Sequence, residues 1–256
     1  MKTNAIVRII LYTILALVLT GILLAGLGMN SFINLPHSGS TLENGEAYID
    51  AEHIRELDID WADGSITIIS ADIDGIHITE TGKFEEKHAL IYNVKGKTLS
   101  IDYSKASSIS IGSSPSKDLI ITVPEDLHFS SLDIDGAALK INIDGMIVDD
   151  VNLDGADLEV SFRGILQQLE CDGADCTLTI ACPEKPNKIN VDGADCDVKL
   201  YLPAYCGFEA ELEGLGCQFY SEFDHHSSNN TYSFGDKHCK IEINGLDCQL
   251  EICELN

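Results

Sequence analysis

Apolar and polar residues alternate with period two along most of this chain, and in its second half the alternation returns in near-identical phrases. Leu132-Asp133-Ile134-Asp135-Gly136-Ala137-Ala138-Leu139 is followed by Val151-Asn152-Leu153-Asp154-Gly155-Ala156-Asp157-Leu158. Leu169-Glu170-Cys171-Asp172-Gly173-Ala174-Asp175-Cys176 and Ile189-Asn190-Val191-Asp192-Gly193-Ala194-Asp195-Cys196 continue the series. The central glycines lie 18 to 20 residues apart. Period-two alternation on both sides of each glycine gives every strand one inward face. A fixed repeat of this length predicts stacked strand–turn–strand units, with like positions ~4.8 Å above one another. The predicted class is all-β, a parallel β-solenoid with an aliphatic interior, in which each glycine supplies a turn conformation that other residues resist.

The same texture extends outward from the repeats. Leu57-Asp58-Ile59-Asp60-Trp61, Ala62-Asp63-Gly64 and Ser65-Ile66-Thr67-Ile68-Ile69 read as strand, turn and strand. Residues 92–101 read as a hairpin closed at Lys95-Gly96, and 119–123 as a buried strand stopped by Pro124. A Ser-rich loop covers 104–116. Two looser copies, Leu212-Glu213-Gly214-Leu215-Gly216-Cys217 and Ile243-Asn244-Gly245-Leu246-Asp247-Cys248, close the chain on either side of an exposed excursion over 221–236. The first thirty residues break the pattern. Lys2 and Arg8 precede an uncharged apolar run from Ile9 to Met29, long enough as a helix to span ~30 Å of hydrocarbon. The organisation expected is a signal-anchor helix over 1–30, a linker over 31–46, an N-terminal β region over 47–131 and the repeat region over 132–256, the last two forming one continuous domain. The positive-inside rule places the bulk of the chain outside a single-pass cell membrane.

Charge narrows the partners. Against 42 Asp and Glu stand 16 Lys and Arg, a net −26. Such a field repels nucleic acid and anionic headgroups and favours cations or basic partners. The repeats collect the carboxylates into ladders: Asp154, Asp172 and Asp192 before the glycines, and Asp157, Asp175 and Asp195 after them. These six are the candidate divalent-cation ligands, with weak calcium the cofactor they would suit and a solvated acidic edge the simpler reading. All nine cysteines fall between Cys171 and Cys253. Cys176, Cys196, Cys217 and Cys248 share the repeat position held by Leu139 and Leu158, which reads as unbridged core thiols, with disulfides between rungs or a metal or redox site as the alternatives. No C-x-x-C occurs, so zinc and thioredoxin patterns are absent. His225-His226 and His238-Cys239 make poor chelating pairs, because neighbours on a strand face opposite sides. Asn229-Asn230-Thr231 matches a glycosylation sequon. No nucleophile elbow, catalytic triad order or phosphate loop is present, and no catalysis is expected.

Leu57-Asp58-Ile59 with Gly64-Ser65-Ile66-Thr67-Ile68, then Asp118-Leu119-Ile120-Ile121-Thr122-Val123-Pro124, the Asp-Gly-Ala repeats, and Leu200-Tyr201-Leu202-Pro203 before Gly207-Phe208 occur in an order that resembles the bacterial putative-adhesin family. The resemblance covers about 54–252. It implies a β-solenoid, an N-terminal membrane segment and a role in binding or scaffolding at the cell surface, with a protein or other surface ligand; it brings no catalytic or ligand residues. Two rival functions are an envelope-stress accessory with a membrane-protein partner and an enzyme built on a β-solenoid.

Overall fold

The structure is a computed structural model that describes residues 39–43, 45–82, 89–103 and 117–255. The expected membrane helix (1–30), most of the linker (31–46) and the Ser-rich loop (104–116) lie outside the described residues. Among the described residues there is no helix, and none long and apolar enough to cross a membrane.

Fifteen strands join into one sheet system. In chain order they are β1 (Ser40–Thr41), β2 (Glu46–Asp50), β3 (Glu56–Ala71), β4 (Gly75–Gly82), β5 (Ile91–Lys95), β6 (Thr98–Asp102), β7 (Lys117–Pro124) and β8 (His128–Ala181). The remainder are β9 (Lys188–Leu202), β10 (Phe208–Leu215), β11 (Gln218–Ser221), β12 (His226–Ser228), β13 (Thr231–Phe234), β14 (Cys239–Leu246) and β15 (Gln249–Glu254). Parallel, in-register pairing runs from β6 and β7 through β3, β8, β9 and β14–β15 to β10 and β11. This is the stacked parallel architecture that the repeats predict. β8 alone carries three rungs, because its backbone stays extended through each repeat glycine.

The stacking order departs from chain order at both ends. β3, the first rung in sequence, lies between β6–β7 and β8. The last rung, β14–β15, lies between β9 and β10–β11. A repeat period sets which residues share a column, not which copy sits on which. The excursion between β11 and β14 spans enough chain for the final rung to return beneath its predecessor.

Within a rung, inward side chains follow the alternation. Leu132, Ile134, Leu139, Ile141 and Ile143 are all buried, and a gap of four less-buried residues, 135–138, marks the corner where the inward parity switches. The ladder Ile59–Ile134–Leu153–Cys171–Val191–Ile243 runs through the core. Each buried Leu or Ile contributes about 1.5–3 kcal/mol. Exposed ion pairs between rungs, such as Lys140–Glu159, contribute about 0–1 kcal/mol. The ladders therefore hold the stack.

The repeat glycines work differently from expectation. Gly136, Gly155, Gly173, Gly193 and Gly245 do not have left-handed φ. Their constraint is close approach. A Cβ on Gly193 would stand 2.6 Å from the Gly173 carbonyl oxygen and 2.4 Å from Cys196 Sγ; on Gly245 it would stand 2.0 Å from the Gly193 carbonyl oxygen. The side chain three residues on folds back over the glycine, so a methyl has nowhere to go. The 91–102 hairpin forms with its turn at Gly96-Lys97, one residue later than the sequence suggests, and Gly96 takes φ +64° there.

Antiparallel strands cover both ends of the stack. β5 and β4 flank β6 and β7, while β13 and β12 flank β10. Such caps blunt edges that would otherwise template further pairing. The excursion over 221–236 is thus a capping hairpin, turned at Asn229 and Asn230 with φ 48° and 63°. Phe219 and Tyr232 stack at 4.0 Å, and Phe223 and Phe234 pack on Phe208 to close that end of the core. At the opposite end Trp61 occupies the glycine position, meets Tyr103 edge-on at 5.2 Å and donates to the Lys117 carbonyl at 3.2 Å. Buried Lys117 donates Nζ to Glu80 Oε1 at 2.5 Å and to the Tyr103 carbonyl.

Candidate functional site

The two long sides of the stack carry opposite chemistry. On the side before the glycines, one outward column reads, in stacking order, Asp102, Asp60, Asp135, Asp154, Asp172, Asp192, Asn244 and Glu213. The column beside it reads Ser100, Asp58, Asp133, Asn152, Glu170, Asn190, Glu242 and Glu211. Strand pleating brings these side chains out together, because each alternates with a buried Leu, Ile, Val or Cys. The two lysines at the margin are engaged: Lys188 pairs with Glu242 at 3.0 Å and Lys240 with Glu209 at 2.5 Å.

Beyond the corner column of Asp157, Asp175 and Asp195, the side after the glycines mixes acids with cations. Thr67, Asn142, Ser161 and Thr179 share one outward column, and the cations there pair between rungs: Arg163 donates Nε and an Nη to the two Asp144 oxygens at 2.6 and 2.9 Å, and Lys199 meets Glu251 at 3.0 Å. The Asp144 carboxyl is held below its ordinary value by Arg163.

On the acidic side the shift is the reverse. Asp135 and Asp172 titrate above their ordinary value. Partial loss of solvent is the larger cause, and like charge above and below adds to it: Asp154 and Asp58 act on Asp135, Asp154 and Asp192 on Asp172. Neighbouring amides and hydroxyls relieve part of the repulsion. Asn152 donates to Asp133 at 2.6 Å, Asn190 to Asp192 at 2.9 Å and Ser100 to Asp58 at 3.2 Å.

Of the six proposed cation ligands, Asp154, Asp172 and Asp192 share the column before the corner, and Asp157, Asp175 and Asp195 the one after it. The glycine corner separates the two columns. Among the described residues no three Asp, Glu, His or Cys side chains are grouped to hold a metal ion. His225 packs on Phe219 and Tyr232 in the cap, with centroids 5.1 and 5.9 Å away.

A groove of about 270 Å³ opens on the acidic side, lined by Asp150, Asn152, Gln168, Glu170, Lys188 and Asn190. Asn190 Oδ1 is buried there without a hydrogen-bond partner among the described residues. Reading the repeats alone finds the Asp-Gly-Ala-Asp corner and misses the second column. The signal for it is an acid-or-amide, apolar, acid-or-amide triplet before each glycine, seen in Asp133-Ile134-Asp135, Glu170-Cys171-Asp172 and Glu242-Ile243-Asn244.

A family described as Toastrack DUF4097 matches residues 54–200, more than half of the chain. Two solved structures align with most of it. One, titled a putative cell adhesion protein from Clostridium sporogenes, has 14% identity and a TM-score of 0.49, covering 82% of this chain and 98% of its own. The other, titled a putative adhesin from Bacteroides fragilis, has 10% identity and a TM-score of 0.39, covering 86% of this chain and 99% of its own. No curated protein matches the chain.

Proposed function

The chain belongs to the Toastrack DUF4097 family, and from that premise we propose that it is a surface-binding module whose acidic sheet side docks a basic polypeptide partner. The apolar run 9–29 anchors it in the cell membrane as a single pass, with the stack on the outer side. The observation that carries this reading is the contrast between the two sides: each of eight rungs presents at least one carboxylate on one, while on the other Lys140, Arg163 and Lys199 each pair with a carboxylate of a neighbouring rung. A rigid stack fixes the spacing of its surface groups, so little conformational entropy is lost on docking. Electrostatic complementarity supplies fast, salt-sensitive association.

The test uses the full-length chain in its native membrane. Cells displaying it are retained on a poly-lysine surface and compared with an uncharged dextran surface. Retention should fall as salt rises and be lost when Asp135, Asp154, Asp172 and Asp192 are all changed to Asn. Changing Asp118, Glu159, Asp197 and Glu251 on the other side to their amides should leave it intact. Equal loss from both variants would remove the acidic side as the contact surface. Protease added to intact cells at a dose that digests the detergent-solubilised chain should digest it equally; protection in intact cells alone would refute the outward orientation.

A further inference from the structure

The nine cysteines are all unbridged, and all but half-buried Cys217 are buried. Five of them form one continuous row. Cys171 Sγ lies 3.8 Å from Cys176 Sγ within one rung. Cys176 and Cys196 are in-register partners on β8 and β9. Cys248 comes next, beside Cys196, and Cys217 follows beside Cys248. Only Cys171 and Cys176 are within hydrogen-bond distance of one another; the others are neighbours by strand register, a rung apart. The out-of-order final rung sets the order of the row, placing Cys248 inside it and leaving Cys217 at its end. Rungs nearer the other end fill the same position with Leu139 and Leu158, and no cysteine precedes Cys171 in the chain.

Their neighbours push the Cys176 and Cys196 thiols up to about 12 and raise Cys248 as well, so the interior of the row is protonated, inert to ordinary electrophiles, and open only to an ion that displaces the proton from sulfur. Cys217 differs in access. It stands at the open end of the row, its thiol 3.8 Å from the Gly245 carbonyl oxygen and 3.9 Å from that of Glu213. Asp247 sits beside it at the acidic corner, where the field concentrates cations.

A single file of thiols, with no three donors grouped to hold an ion among the described residues, does not suit tetrahedral zinc. It suits an ion that binds soft sulfur and accepts two ligands. We propose that Cys217 and Cys248 form a two-coordinate site for a soft monovalent cation, copper(I) in chemical type, at the mouth of the thiol row. Binding breaks two S–H bonds, forms two S–Cu bonds and releases two protons per ion; no electron is transferred. Cys196 stands behind the site as the next sulfur.

The experiment takes reduced full-length protein in detergent, without oxygen, and titrates it with copper(I) buffered by bicinchoninate. The protein should withdraw one equivalent from the chelator, with two protons released and two sulfur neighbours seen by X-ray absorption. Cys217→Ser should lose that equivalent with an unchanged unfolding midpoint. Cys253→Ser, outside the row, should keep it. If the chelator retains all the copper, or Cys217→Ser withdraws as much as the parent, the site does not exist as described. Maleimide labelling of the unaltered protein gives an independent reading should Cys217→Ser fold poorly. One equivalent of silver(I) should protect Cys217, and undiminished labelling would overturn the proposal.

Discussion

Lys117 is the most enclosed charge in the described residues, with a side chain 0% exposed against a Glu80 side chain 2% exposed. Its ammonium lies over the rings of Tyr103 and Trp61, at 3.9 and 4.8 Å from their centroids, and Glu80 also accepts from the Leu90 amide at 3.2 Å. Burial lowers the Lys117 pKa, and the hydrogen bond it donates to Glu80 opposes that fall. A buried pair of this kind adds little net stability, yet removing one partner strands the other. Lys117→Met should therefore cost about 3–5 kcal/mol in denaturant unfolding. Adding Glu80→Gln should recover part of that, and a double variant no better than the single would mean that the cost lies in packing around Trp61. The glycines make a second residue-scale case. Gly245→Ala places a methyl against the backbone of the neighbouring rung, which cannot swing away as a side chain can. A loss of about 1–3 kcal/mol is expected from such overpacking. Gly96, with open space around it but φ +64°, should lose less on the same change.

At the scale of the rung, stability depends on neighbours above and below. Leu158→Asp puts an unpaired charge at a position 2% exposed, in the middle rung of β8, and should abolish the folded state seen by circular dichroism. Removing 239–256 should do more than shorten the stack, because β10 and β11 pair with β14 and β15 and not with β9. Limited proteolysis of that truncation should cut throughout 203–238 and spare the rungs up to β9. Resistance across β10 would show that this strand can settle directly on β9. Much of this level is legible in the sequence. The inward columns, the all-β class and the corner glycines follow from alternation and repeat spacing. The order of the rungs does not, because Leu212–Cys217 and Ile243–Cys248 match the repeat equally well and spacing alone cannot rank them. The reason for the glycines is equally hidden, since close approach to a neighbouring carbonyl oxygen exists only once the stack is built. Of the acidic side, the column at Asp154, Asp172 and Asp192 is plain in the repeat, whereas its continuation through Asp60 and Asp102 depends on the displaced first rung.

For the whole molecule, charge sets the response to solution conditions. Asp135 and Asp172 titrate above their ordinary 3.8 in the folded state. Their contribution is fully present below 3.8 and is lost as pH rises through the folded value. Glu209 behaves oppositely: Lys237 and Lys240 hold it at about 2 against an ordinary 4.5, so its contribution is present above 4.5 and lost as pH falls towards 2. Melting temperature should thus climb as pH falls through the folded values of Asp135 and Asp172, and decline as Glu209 protonates between 4.5 and about 2. A steady decline from pH 7 would show that the paired carboxylates dominate throughout. Salt should raise stability at pH 7 by screening the ladders. With no three carboxylates converging, calcium is expected to match sodium chloride at equal ionic strength. A larger calcium shift would place a divalent site on the Asp154, Asp172 and Asp192 column.

The displaced rungs also limit how such a molecule can change length. β3 and β14–β15 each lie one layer in from an end, fastened beneath a neighbour that the chain lays down out of turn. A repeat added before β3 or after β15 would find no vacant edge to continue. A copy duplicated within β8 would meet its own likeness on both sides. Growth is therefore expected from the middle, in whole repeats, with both capped ends carried outward unchanged.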